Sequence, residues 1–369
     1  MAARGELPAW VSLGLLPLMN LAAAFLVSGV IVLVLGESPL RALELLLYGA
    51  FGYEEAAGYT LYYTTNFIFT GLAVAIAFHC GLFNIGGEGQ AYLGGLGVGL
   101  VGLYLGGLPA PLVVLLAILA AAAFGGVWGF IPGWLQARRG SHVVITTIML
   151  NFIAASLMTY LMVNVLIRPG QQSPESATFP ESAWLPRLHE VLGALGIEVA
   201  RSPLNLSFAF ALLCCLLVWL FVWKTRAGYA LRVVGQNETA AVYGGISPAR
   251  QIMIAMTVSG ALAGFVALNE LLGAQHRLIL GFTGGYGFVG IAVALMGRNH
   301  PLGIVLAALL FGALYQGGSE LSFDMPTVSR DMVVVIQGLV ILFAGALEHM
   351  FRPPLEALFA RARPAGAVA

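Results

Sequence analysis

Polar side chains are scarce in this sequence, and their types limit what they can do. Residues 81–90 read GLFNIGGEGQ, which sets Asn84, Glu88 and Gln90 among four glycines, between two apolar runs. Asn66, Asn151 and the phenol of Tyr286 stand inside other apolar runs. Amides both donate and accept hydrogen bonds, and a carboxylate accepts them. Such groups suit an uncharged polar solute, for instance a nucleobase or a sugar. They do not make a reactive centre. The sequence has no H-E-x-x-H, no G-x-S-x-G and no kinase signature. Its six histidines, His79, His142, His189, His276, His300 and His349, fall in separate segments, which argues against a metal site. Cys80, Cys214 and Cys215 form no C-x-x-C and read as small core residues. No G-x-x-x-x-G-K-[ST] is present, so any energy from ATP must come through another polypeptide.

Two readings of residues 81–90 stand side by side. A carboxylate at membrane depth is costly and usually faces a cavity or a partner. The stretch is then a broken-helix segment beside a solute path. Alternatively it is a glycine-rich turn with Glu88 near a helix start, where the dipole favours an acid and the carboxylate accepts backbone N–H bonds. Asn66 and Asn151 either contact solute or bond between helices. Tyr286, Phe67, Phe69, Phe282, Phe288 and Tyr315 either stack on a base or pack in core and lipid.

Two further stretches carry information. Residues 225–251, TRAGYALRVVGQNETAAVYGGISPARQ, are basic at the start and helix-friendly at the centre. Asn237 is placed to cap a short helix through Glu238, Ala241 and Tyr243, which Gly244 and Gly245 would end. That helix either docks in a groove of a soluble protein or connects along the membrane surface. Residues 280–303, LGFTGGYGFVGIAVALMGRNHPLG, space glycines at three and four residues. This suits close helix crossing or an interrupted helix lining a pathway.

The elements that must hold these residues follow from composition. The chain has 369 residues, 59% hydrophobic and 9% charged, with mean hydropathy +0.91. Soluble domains carry roughly 25% charge. Seventeen Lys+Arg balance seventeen Asp+Glu, so no basic field for nucleic acid exists. An all-α membrane protein is expected, as a single domain over residues 1–369. At about 20 apolar residues per span, ten segments qualify: 11–35, 61–80, 89–108, 111–135, 143–167, 204–223, 251–272, 285–297, 302–318 and 331–350. The eighth is short and reads as broken or re-entrant. The first exceeds the roughly 7–15 residues of a secretory h-region and reads as a retained helix. Alternate loops collect 11 of the 17 basic residues on one face, including Arg4, Arg138, Arg139, Arg298, Arg352, Arg361 and Arg363. The other face collects 12 of the 17 acids. Ten spans with both termini cytoplasmic agree with that bias. Residues 169–203 then form a long external loop, with a short amphipathic helix at 184–195. Residues 40–51 can lie along the interface. Residues 224–250 form the largest cytoplasmic loop.

GLFNIGGEGQ, GYALRVVGQNETAAVYGGIS and GGYGFVGIAVALMGRNHPLG occur in one order over residues 60–345. In this the chain resembles the inner-membrane permeases of bacterial ABC importers in the branched-chain amino acid/simple-sugar permease superfamily. NIGGEGQ looks most like the nucleoside-type members. The resemblance implies a permease in the bacterial inner membrane that works with a second, homologous subunit. It also implies two copies of a cytoplasmic ATPase, which bind ATP and Mg in this chain's stead, and a periplasmic or lipoprotein substrate-binding protein. Residues 224–250 match the region through which such permeases couple to the ATPase. There Gly235, Gln236, Asn237, Glu238, Ala241, Tyr243, Gly244 and Ile246 fit the family's E-x-x-A-then-glycine pattern loosely. The sequence departs from sugar-type members in lacking their Asp-Leu-Ser segment near Asn84–Gln90, although a simple-sugar solute stays open. A reading from another class is a carrier or channel that works alone. Its ion coupling would need acids within spans, and only Glu88 and Glu270 approach membrane depth.

Overall fold

The computed structural model describes residue 8, residues 11–343 and residues 352–356. Within them the chain is helical, with two isolated β-bridges, Glu175 to Ile279 and Arg187 to Asn205. In order, the α-helices are α1 (Leu16–Val34), α2 (Pro39–Phe51), α3 (Glu54–His79), α4 (Gly87–Tyr104), α5 (Ala110–Arg139), α6 (Val143–Asn164) and α7 (Leu188–Ala194). There follow α8 (Ser207–Lys224), α9 (Arg226–Gln236), α10 (Glu238–Tyr243), α11 (Pro248–Gly264), α12 (Tyr286–Met296), α13 (Pro301–Asp324) and α14 (Arg330–Ile341). Wider π-type turns precede α1 at Val11–Leu15 and extend α11 at Leu268–Gln275.

Each of the ten expected segments carries helix, but length and apolarity alone single out six. These are α3, α5, α6, α8, α13 and the continuous Pro248–Gln275. A seventh arises if α1 and α2, bent by 117° at residues 35–38, count together. The expected segment 89–108 became α4, where seven glycines in 18 residues dilute the hydropathy. Most of α4 is buried by protein, so it needs little apolar surface for lipid. The segments at 285–297 and 331–350 gave only short apolar helices. Residues 344–350 lie outside the described residues, as do Arg4, His349, Arg361, Arg363 and the two chain ends.

The chain divides into two compact units, residues 50–313 and the pair of segments 1–49 and 314–369. In the second, Val32, Ala42, Leu321, Met325 and Val328 form an apolar cluster. Leu40, Leu47 and Tyr48 of α2 are left exposed.

The first unit is built around α3, most of whose residues from Ala56 to Ala77 are buried. Beside it α11 crosses α5 at glycine. Gly125 and Gly129 of α5 face Met256, Gly260 and Gly264 of α11 closely enough that a Cβ at any of these four glycines would collide with the opposing backbone. Gly94 of α4 meets Gly264 in the same way. Without a hydrophobic force between helices in lipid, this closeness supplies the van der Waals contact that holds them.

The loop at 169–203 is tied to the end of the α11 extension. Ser176 N donates to Leu278 O, Phe179 N to His276 O, and Leu185 N to Leu272 O. The short helix expected at 184–195 forms over Leu188–Ala194, with the Glu190 carboxylate accepting from Arg187 N at 3.0 Å.

Candidate functional site

α3 stops at His79, Gly81 turns with φ +73°, and the chain runs irregularly until α4 starts at Gly87. The amides of Asn84 and Gln90 pair reciprocally, at 2.9 and 3.2 Å. Asn84 also donates to Ser259 Oγ at 2.8 Å and accepts from Gly86 N at 2.8 Å. Ser259 in turn donates to Ala73 O. Asn151 of α6 accepts from Gly89 N and donates to Ile85 O, both at 2.9 Å. The two Glu88 oxygens accept from Gly285 N at 3.0 Å and Gly287 N at 2.9 Å, and Thr283 also bonds to the carboxylate. Gly285 has φ +80°, which places its N–H and that of Gly287 on one side of the turn. A carboxylate there offsets the positive end of α12. In this conformation Asn84, Glu88, Gln90 and Asn151 all spend their polar atoms on protein, bracing two irregular segments.

Asn66 and Tyr286 lie elsewhere, in a second buried network. Asn66 donates to Glu270 Oε1 at 2.6 Å. The hydroxyls of Tyr62 and Tyr286 also bond to Glu270. Asn269 donates to Asn66 Oδ1 at 2.9 Å and Tyr62 O at 3.0 Å. It accepts from Asn205 Nδ2 at 2.9 Å and Ser207 Oγ at 2.8 Å. Glu270 is 4% exposed and Asn66 and Asn269 are wholly buried. Three elements converge on one carboxylate: α3 through Tyr62 and Asn66, α12 through Tyr286, and the π-type extension of α11 itself. An added residue per turn re-aims side chains, and π turns are frequent at functional sites. The two networks meet at the first turn of α12, where Glu88 holds the N–H groups on either side of Tyr286.

The sequence reading named Asn66, Tyr286 and Glu270 of this second network but did not join them, and it did not name Tyr62, Asn269, Asn205 or Ser207. The available signal was Asn269 beside Glu270, close to the end of the expected span 251–272. A carboxyl within a span is a functional candidate by default. Asn205 and Ser207 gave no signal, since their role depends on a contact about 60 residues away in the chain.

Above this network a cavity of about 470 Å³ is lined by residues including Glu55, Tyr59, Tyr62, Tyr63, Arg187, Arg201 and Gln275. Arg187 ties the 169–203 loop to this cavity's lining, bonding to Gly273 O at 3.3 Å, Ala274 O at 3.4 Å and His276 Nε2 at 3.1 Å. Trp184 stacks on His276 with ring centroids 4.0 Å apart. Burial, and then the neighbouring Arg187 charge, hold the His276 pKa below its ordinary value.

Residues 235–246 sit at the far end of α3. Gly235 lies so close to His79 O and Gly81 N that no Cβ fits. The Asn237 side chain accepts from Ala240 N at 2.9 Å, capping α10, and Gly244 ends it. Ala241 is buried with Ala77, Cys80, Leu82, Leu231 and Val234, and Ile246 packs against them. Gln236 and Glu238 are exposed, and Tyr243 is 90% exposed. The short helix thus has an inner face fixed to the helix bundle and an outer face free.

Residues 56–345 match the family described as branched-chain amino acid transport system / permease component. This chain belongs to that family. It is a multi-pass membrane protein and a transport subunit of ABC type. The guanosine ABC transporter permease protein NupP of Bacillus subtilis is 38% identical over 335 residues, 90% of this chain and 93% of that one. The glucose ABC transporter permease protein TsgB13 of Haloferax volcanii is 33% identical over 95% of this chain and 91% of its own. The nucleoside ABC transporter permease protein NupB of Lactococcus lactis is 32% identical over 89% and 90%. Bacillus subtilis and Lactococcus lactis each hold a second matching permease, at 27% and 26% identity over about two thirds of this chain. In this permease both polar networks and the α9–α10 segment fall inside the matched residues, whereas α1 and α2 precede them.

Proposed function

We propose that this permease forms one half of the solute path of an ATP-driven nucleoside importer in the bacterial inner membrane. It crosses the membrane ten times with both ends cytoplasmic, and its partner half is a second, homologous permease. The occurrence of two permeases in each of two organisms supports that pairing. Two copies of an ATPase bind ATP and Mg and dock on residues 235–246. A periplasmic or lipoprotein receptor delivers solute to the face bearing residues 169–203. Two of the three relatives described above have nucleoside names, which favours that class over the sugar named for the third.

One observation carries the mechanism: the α9–α10 segment is clamped to the His79 end of α3, and α3 carries Tyr62 and Asn66. A push on exposed Glu238 and Tyr243 reaches α3 through Gly235 and Ala241. α3 then moves against the α11 extension, and access switches from one side to the other. Neither step requires bond chemistry in this chain.

The test is uptake of labelled nucleosides and sugars by the complex reconstituted with its ATPase and receptor. ATP-dependent nucleoside uptake is expected, with Glu238→Trp or Gly244→Trp leaving ATP hydrolysis intact and abolishing uptake. Uptake by the permease without any ATPase would instead support a carrier that works alone, and uptake of sugars only would replace the nucleoside.

A further inference from the structure

Glu270 is an expensive residue to bury, because an ionised carboxylate loses its hydration and repays that only through well-placed partners. Here its hydrogen-bond donors are neutral: one amide and two phenols. Among the described residues no guanidinium or ammonium binds it, so there it is neither half of an ion pair nor a simple brace between charged elements. Its donors come from two separate helices, α3 and α12, and closing all three bonds at once requires these helices and the α11 extension to be together. Tyr62 belongs to this clasp and to the wall of the cavity above it. A solute in the cavity is therefore one phenol away from the carboxylate.

We infer that Glu270 is the solute-reading gate: N–H donors of the solute replace Tyr62 and Asn66 on the carboxylate and so release the clasp. This deepens the nucleoside reading and rests on it. The chemistry selects among nucleosides. A carboxylate accepts two parallel N–H donors, and the base edge that offers two adjacent donors is that of guanine. Inosine and uridine offer one. Adenine and cytosine set an acceptor beside their amino group, which faces the carboxylate unfavourably. The cavity size lies within the roughly 300–1,000 Å³ of small-molecule sites. Tyr59, Tyr62 and Tyr63 give it aromatic faces on which a base can stack. Arg201 and Gln275 give its rim donors for ribose hydroxyls.

The experiment compares wild type and Glu270→Gln in the full reconstituted complex, with guanosine, inosine, uridine and glucose as solutes. Glutamine keeps the volume but replaces one acceptor by a donor. Guanosine uptake should fall about tenfold or more relative to wild type, as expected when a buried charged hydrogen bond is lost. The ratio of guanosine to uridine uptake should fall by a similar factor, whatever the variant does to the clasp itself. An equal fall for all solutes, with assembly intact, overturns the inference and leaves Glu270 a structural residue. A second measurement needs no variant. A hydrophobic carbodiimide labels Glu270 in the wild-type complex, and the labelled peptide is quantified. Excess guanosine should protect it and excess uridine should not; equal labelling with and without guanosine overturns the inference. The nucleoside reading fails separately, if the wild-type complex carries only glucose.

Discussion

Asn84 shows how a single polar residue divides its work. Its amide is wholly buried and satisfies Gln90, Ser259 and the Gly86 N–H together. Asn84→Ala leaves at least two buried groups unpaired, at about 1–3 kcal/mol each. The purified permease complex should unfold at a clearly lower temperature in detergent, and fewer complexes should assemble. Uptake lost at unchanged stability and assembly would return Asn84 to the solute path. Residue by residue, the sequence made some of this visible. GLFNIGGEGQ stood out because amides and a carboxylate interrupt an apolar run, and Asn237 stood out as a cap because it precedes a helix-forming stretch. Glu270 was harder to see. In the sequence it sits a few residues from the presumed end of a span, and only the π-type extension shows that the helix continues to Gln275. Its donors, Tyr62 and Asn66, lie more than 200 residues away, and no local pattern encodes that distance.

Elements here are assembled by what their glycines permit. The spacing Gly125-x-x-x-Gly129 on α5 answers Gly260-x-x-x-Gly264 on α11, and carbonyls occupy the space a side chain would take. Gly260→Leu must push α5 and α11 apart along their whole crossing, and Gly264 touches α4 as well. The expected result is loss of assembled protein from the membrane, read by size-exclusion of detergent extracts. Gly107→Leu, at a position with open space around it, should extract normally. A different element, the loop at residues 169–203, should dock in a pH-dependent way. Neutral His276 accepts from Arg187 and stacks on Trp184, and its pKa is depressed by burial and by Arg187. His276 therefore takes up a proton more readily when the loop is undocked than when it is docked. Docking is fully stable above the ordinary histidine value of about 6.5 and weakens as pH falls below it. Proteolytic nicking within residues 169–203 should rise between pH 7.5 and 5.5, and His276→Gln should flatten that rise.

At the scale of the whole molecule, the question is which face each loop occupies. Helix lengths single out six spans, or seven with the bent pair, whereas charge distribution favours ten. The difference lies in α4, α12 and α14, which are glycine-rich or short. Such helices can still cross a membrane when protein covers them, since lipid then demands no apolar surface from them. The two counts place defined residues on defined faces, so labelling decides between them. The native Cys80, Cys214 and Cys215 are buried and unpaired and should stay silent to a membrane-impermeant maleimide. A cysteine in place of exposed Leu195 should react in intact cells. A cysteine in place of exposed Tyr243 should react only after the inner membrane is opened. Both conditions follow if an odd number of crossings separates the two loops, and α8 alone supplies one. A third cysteine, at exposed Tyr104, the last residue of α4, tests the glycine-rich helix itself. If α4 crosses, that site reacts from outside like Leu195. If α4 only re-enters, it reacts from inside like Tyr243, the count of crossings falls, and the route from the α9–α10 segment to the Glu270 clasp must be redrawn.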